Sequence, residues 1–255
     1  MSKDNLTQSW YFASPIYFIN KPEWISDLDK LSDPYIKLAK EKNQDFIKER
    51  NKNWGGDKKD HALVHHSTSL IGRPGFKKFT DYIEATTWNL LDEQGYNLTN
   101  YKIFTTEMWV QEFAEAGGGH HSLHTHYNGH ISGFYFLKAS EKTSLPIFDD
   151  PRAGKLMNDL PQKDASKITP ASTQVNYTVR PGDLIVFNSY LPHQFRVDDA
   201  YEPFRFIHFN CRAIPINDVL SKYGEERTDN KKFNITTIFS YDKRIIRFCR
   251  ISLVF

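Results

Sequence analysis

Between Glu107 and Asn210 the chain carries six short runs rich in β-branched and aromatic residues, at 107–113, 131–137, 145–148, 174–179, 184–187 and 204–210. Gly, Pro, Asn and Asp separate them, most plainly in Arg180-Pro181-Gly182-Asp183. Runs this short, bounded by residues that favour turns, read as strands rather than helices. Several in succession after a helical region predict an antiparallel sandwich or jelly roll with helices packed on its outside.

The segment before them has a different period. Residues Trp10 to Ile19 alternate loosely between apolar and polar, which predicts an early strand ending at Asn20-Lys21-Pro22. Trp24, Leu28, Leu31 and Tyr35 then recur every three or four residues, the spacing of a helix with one buried face, and Asp33-Pro34 is expected to interrupt it. Lys40 to Asp60 is polar and lysine-rich around Trp54-Gly55-Gly56 and reads as a long connection. Phe76, Phe79, Ile83 and Leu90 signal a second helix, opened at Gly72-Arg73-Pro74-Gly75 and closed near Gly95. Residues 1–100 are thus expected to form an extension packed on a core at 101–215. Residues 216–255 are a tail, polar from Asn217 to Lys232 and without clear period from Phe233 to Phe255, to which no role is assigned.

Composition narrows the functional classes. A chain of 255 residues suits one large domain, and 39 % hydrophobic residues can furnish its core. A net charge of +2, with both signs interspersed, argues against a surface that tracks phosphates, so no nucleic-acid partner is expected. Cys211 and Cys249 permit one disulfide but make no disulfide framework. The N-terminus lacks the apolar stretch of a secretion signal, and no run of eighteen apolar residues occurs, so the expectation is a cytoplasmic protein without a membrane partner. The sequence is silent on oligomeric state.

The chemistry is concentrated in His120 to His130. Half of the ten histidines fall there, straight after Gly117-Gly118-Gly119. Neutral imidazole is the commonest metal ligand among side chains, and residues two apart on an extended backbone point to the same side, so His124 and His126 can share an ion. A third ligand has to come from a distant strand; His193, at the end of an apolar run that follows a Pro-Gly turn, is the candidate. Arg205 follows twelve residues later between Phe204 and Phe206, where a guanidinium needs an anion if it is buried. A dicarboxylate would supply one.

Taken together, these pieces resemble a family. His124-Thr125-His126, Ser132-Gly133-Phe134-Tyr135-Phe136-Leu137, Phe148-Asp149-Asp150-Pro151-Arg152, Arg180 to Phe187, Pro192-His193, and Arg205 with Phe209-Asn210 are similar, in kind and order, to motifs of the Fe(II)- and 2-oxoglutarate-dependent dioxygenases, closest to their bacterial and phage branch with a His-x-His. The resemblance implies a double-stranded β-helix core of the cupin-like kind. It implies His124 and His193 as catalytic metal ligands, Fe(II) and 2-oxoglutarate as cofactors, Arg205 as the clamp for the far carboxylate, and a small-molecule or peptide substrate that is hydroxylated.

Three departures from the pattern stand out. Position 126 is where the wider superfamily has Asp or Glu, which leaves open a three-histidine site, two histidines with water or an anion, or recruitment of Asp149 or Asp150. The spacing of five between Arg205 and Asn210 places them on opposite faces of a regular strand. Phe136 stands where relatives often have a tyrosine near the cosubstrate. Trp109, Phe134 and Tyr135 are expected as wall residues; His120, His121 and His130 as exposed loop histidines; and His61, His65, His66 and His208 as structural. Two other functions compete: a cupin-like dioxygenase with three histidines and no 2-oxoglutarate, and a non-enzymatic jelly-roll module holding a structural ion.

Overall fold

The computed structural model describes residues 9, 12–157 and 160–218, and the expectations for the tail beyond 218 and for Cys249 lie outside them. The chain divides at Pro215, and everything below concerns the unit before that point. Its elements are β1 (Ile16–Asn20), α1 (Ile25–Lys42), α2 (Gln44–Trp54), β2 (Val64–His66), α3 (Lys77–Glu93), β3 (Tyr101–Phe113), β4 (His121–His124), β5 (Ile131–Lys138), β6 (Pro146–Asp149), α4 (Ala153–Met157), β7 (Gln174–Asn176), β8 (Asp183–Asn188), β9 (His193–Phe195) and β10 (Arg205–Pro215).

The strands form two antiparallel sheets, one of six in the order β1-β8-β5-β10-β3-β2 and one of four in the order β4-β9-β6-β7. Neighbours in space are distant in sequence, the arrangement of a jelly roll. The first hundred residues are joined to this core through the ladders themselves, since β1 pairs with β8 and β2 with β3.

Both faces of the six-stranded sheet are buried, which explains why β5 reads as an unbroken apolar run. Alternate residues point to opposite faces. On β5, Phe134 and Phe136 enter a cluster with Phe187, Phe195, Phe204 and Phe206, while Tyr135 and Leu137 join Phe79, Ile83 and Ile207 in the cluster that α1 and α3 cover. The Tyr135 hydroxyl donates to the Lys21 carbonyl on that helical side, so Tyr135 is no wall of the histidine site, whereas Trp109 and Phe134 are its neighbours.

Two local expectations give way. Pro34 sits inside α1 without ending it, because the proline lies on the exposed side of the helix while Leu28, Ser32, Ile36 and Ala39 are buried on the other. Burial along that stripe outweighs the hydrogen bond that proline removes. The segment expected as a connection from Lys40 continues α1 to Lys42 and then forms α2, which buries Ile47 and Arg50 and ends at Gly55 in the left-handed region with φ of 69°. Arg50 caps the turn that follows by donating to the carbonyls of Lys59 and His61.

Candidate metal centre

The expected histidines meet at one end of the barrel. In the small sheet His124 on β4 pairs directly with His193 on β9, and His126 follows β4 after a single residue. Ring nitrogens of His124, His126 and His193 all lie within 4.8 Å of one another. His193 is sealed from solvent, His126 partly covered and His124 exposed, so the trio is closed on the barrel side and open on the other.

Hydrogen bonds select the ring tautomers. The Nδ1–H of His193 donates to the Leu191 carbonyl at 3.0 Å and that of His124 to the Ser122 carbonyl at 2.7 Å. Each bond leaves Nε2 with a free lone pair, as a metal ligand requires. Burial, opposed by the bond to Leu191 and assisted by the neighbouring rings, holds His193 at a pKa of about 3. Burial and then His124 hold His126 at about 4. These imidazoles are neutral at physiological pH and available to a cation.

His126 differs from the other two. Its Nε2 lies 3.3 Å from Nε2 of His193, while its Nδ1 accepts a hydrogen bond from the Asn210 amide at 3.2 Å. The same amide donates to Glu107 at 2.5 Å, and the Asn210 carbonyl oxygen accepts from Ser132 at 2.6 Å.

Several residues of this site have another role, or none, in the reading of the sequence. His208 is buried at 2 % exposure, stacks on His126 with ring centroids 4.7 Å apart, and has no hydrogen-bond partner for Nε2 among the described residues. With Glu107 and His126 it forms a second group whose candidate ligand atoms lie within 4.8 Å of one another. His121 is no loop histidine: it lies on β4, bonds Gln111 at 3.0 Å, and is held at about 3 by burial and by His66. The signal for Glu107 and His208 was present as parity, since Glu107, Trp109 and Gln111 alternate on β3 and Phe206, His208 and Asn210 on β10. Asp150, a candidate third ligand by sequence, is instead engaged by Arg152 at 2.7 Å.

Arg205 is the clear correction. It lies opposite Glu112 in the β10–β3 ladder and faces the helices, while Phe206 and His208 face the histidines. Its guanidinium is bound by Glu112 at 2.6 Å, Asp29 at 2.7 Å and Asp33 at 2.5 Å. The anion that a buried arginine needs is therefore the protein's own.

Fold and geometry define the class: a jelly roll with a candidate metal centre of three imidazoles at one end of its barrel. Residues 107–210 match the family described as "Putative 2OG-Fe(II) oxygenase", whose members are oxidoreductases that use Fe(II) and 2-oxoglutarate. Among solved structures, the non-heme alpha-ketoglutarate-dependent epimerase SnoN from nogalamycin biosynthesis is similar at 9 % identity, covering 78 % of this chain and 76 % of its own, with a TM-score of 0.50. A Pseudomonas putida prolyl-4-hydroxylase is similar at 12 % identity, covering 77 % and 92 %, with a TM-score of 0.43. No curated protein matches the chain by sequence. At such identities the SnoN likeness is one of fold.

The residues present fit iron. Three imidazole nitrogen donors, two with their tautomer set, suit a divalent first-row metal and leave positions free for other ligands. For 2-oxoglutarate the fit is divided. Free positions suit a 2-oxo acid end, but Arg205 is turned away and cannot hold the far carboxylate. Among the described residues the buried arginines are Arg50 and Arg205, no lysine is buried, and the barrel behind the histidines is filled with phenylalanine.

Proposed function

We propose that this chain is an Fe(II)-dependent oxygenase that holds its metal through His124, His126 and His193. It hydroxylates a small molecule or a peptide side chain as 2-oxoglutarate is converted to succinate and carbon dioxide. The observation that carries the reading is the convergence of His124 and His126 with His193, remote from them in sequence, at the end of a barrel whose residues 107–210 match the oxygenase family. The bound metal would supply the oxidising chemistry by activating dioxygen.

The chain's own residues supply geometry and exclusion of water. Leu191 and Ser122 hold two rings in the tautomer that offers Nε2. Phe134 and Phe187 pack against His193, at centroid distances of 5.6 and 4.8 Å, and keep the barrel side of the site apolar. Beside His126 a cleft of about 520 Å³ is lined by Thr125, Tyr96, Tyr101, Tyr127 and Tyr190, a wall suited to a small organic substrate.

The test is anaerobic loading with Fe(II), addition of 2-oxoglutarate, and exposure to air. Stabilisation by the two together and formation of succinate are expected. Iron uptake with neither effect would favour the dioxygenase that needs no 2-oxoglutarate, a reading that the position of Arg205 keeps in play.

A further inference from the structure

We propose that Glu107 is the positioning carboxylate of this metal centre, acting through His126 and supplying the negative charge that a three-histidine set lacks. The inference rests on the metal-binding reading above and deepens it.

Three imidazoles bring no charge to a dication, and an ion beside a phenylalanine-filled barrel gains little from solvent on that side. An anion close to the ligands reduces this cost. Glu107 has a carboxylate oxygen within 4.8 Å of a nitrogen of His126. Glu112, Asp29 and Asp33 are committed to Arg205 and Asp150 to Arg152, while Asp149, whose buried Oδ1 has no hydrogen-bond partner among the described residues, belongs to neither group of candidate ligands.

The two nitrogens of His126 look in different directions. Nε2 faces His193, whereas Nδ1 faces the Asn210 amide, which in turn is bound by Glu107. With Nδ1 accepting from Asn210, the ring proton lies on Nε2 and points at the lone pair of His193. An ion taken by Nε2 requires that proton on Nδ1 instead, where it would meet the Asn210 N–H at 3.2 Å, so the amide has to turn aside and Glu107, with an oxygen within 4.8 Å of a His126 nitrogen, offers the acceptor. Outer carboxylates of this kind fix the tautomer of a ligating histidine and raise its basicity. The Asn210 amide sits between the two groups, so Glu107 acts on His126 as its neighbour and is not assigned as a ligand.

The test is an anaerobic titration of the metal-free full chain with Co(II), reading both the dissociation constant and the visible ligand-field spectrum. Glu107→Gln is expected to weaken binding by about 10–100-fold and to shift the spectrum. Glu107→Asp should recover part of the loss. In a His126→Asp background the compensating charge is itself a ligand, so adding Glu107→Gln should cost little. The proposal is overturned if Glu107→Gln binds Co(II) as the wild type does, or if it costs the same factor in both backgrounds. The metal-binding reading itself fails if the wild type takes up no Co(II), or if His193→Ala leaves uptake unchanged. Should Glu107→Gln not fold, as judged by its melting curve without metal, the same cycle with Glu107→Asp carries the same expectations in smaller size.

Discussion

Arg205 and Glu112 face each other across the ladder between β10 and β3, Nε to Oε2 at 2.6 Å, with side-chain exposures of 6 % and 3 %. They join the sheet to α1, because the same guanidinium reaches Asp29 and Asp33. Truncating one partner of a buried pair leaves the other charge uncompensated, which typically costs about 3–5 kcal/mol. Arg205→Ala should therefore lower stability by that order in a denaturant titration. Because Arg205 lies on the helical side of the sheet, a folded Arg205→Lys variant should keep the wild-type affinity for metal. A fall in metal or 2-oxoglutarate affinity without loss of stability would return Arg205 to the site.

Acid should weaken this fold through two carboxylates. Burial raises the Glu112 carboxyl, but Lys40 at 2.6 Å and Arg205 more than offset it, and its pKa lies below the ordinary value. Asp60 is similar: burial is outweighed by His65 and by the backbone N–H groups of Ala116 and Glu115, which together bring it down to about 2. A carboxylate with a lowered folded pKa contributes stability that is present above its unfolded pKa, roughly 4, and is lost as pH falls through the folded value. Melting temperature should therefore decline between about pH 4 and pH 2. Asp60→Asn should flatten part of that decline.

What was legible in the sequence followed from period and spacing. The aromatic and β-branched runs of β5 and β10, the Pro-Gly turn before β8 and the helical stripe of α3 all stand where the pattern places them, because burial rewards those side chains in a sheet covered on both faces and on one side of a helix. Pro34 and α2 were misread because local signals, a helix breaker and a run of lysines, were overruled by burial on one side. Arg205 was legible in part. Its spacing of five from Asn210 already put the two on opposite faces, and the ladder keeps them there even though register shifts occur at both ends of that stretch. Glu112, Asp29 and Asp33 could not be foreseen as its partners, since two of them lie on a helix more than 170 residues away in the chain.

The histidine cluster makes a selective prediction. His193→Ala removes a ring that is fully enclosed and offers Nε2 to the common point, so metal uptake should be lost in an equilibrium dialysis experiment. His121→Ala removes a ring close to His124, with centroids 6.2 Å apart, but outside the trio. That variant should retain the metal with a similar dissociation constant. If both variants lose it equally, the ligand set has been drawn too narrowly.

Gly133 couples the fold to the site. It pairs with Phe209 on β10 and Val186 on β8, in the middle of the six-stranded sheet. A Cβ built there would lie 2.3 Å from the Phe209 ring and 2.7 Å from the Ile185 carbonyl oxygen. The ring cannot withdraw easily, because Phe209 is at 1 % exposure and packs edge-on against Phe79 of α3. The carbonyl belongs to the ladder itself. Gly133→Ala should thus cost about 3 kcal/mol or more, at the upper end of overpacking substitutions, since backbone as well as side chain has to move. The residue is two positions from Ile131 at the start of β5, beside Ser132, which fixes Asn210, so the displacement should also reach His126 through that network. The expected result is a lower melting temperature together with weaker metal binding. Gly133→Ala with wild-type stability would show that Phe209 has room to shift and that the sheet is less tightly packed against α3 than these distances require.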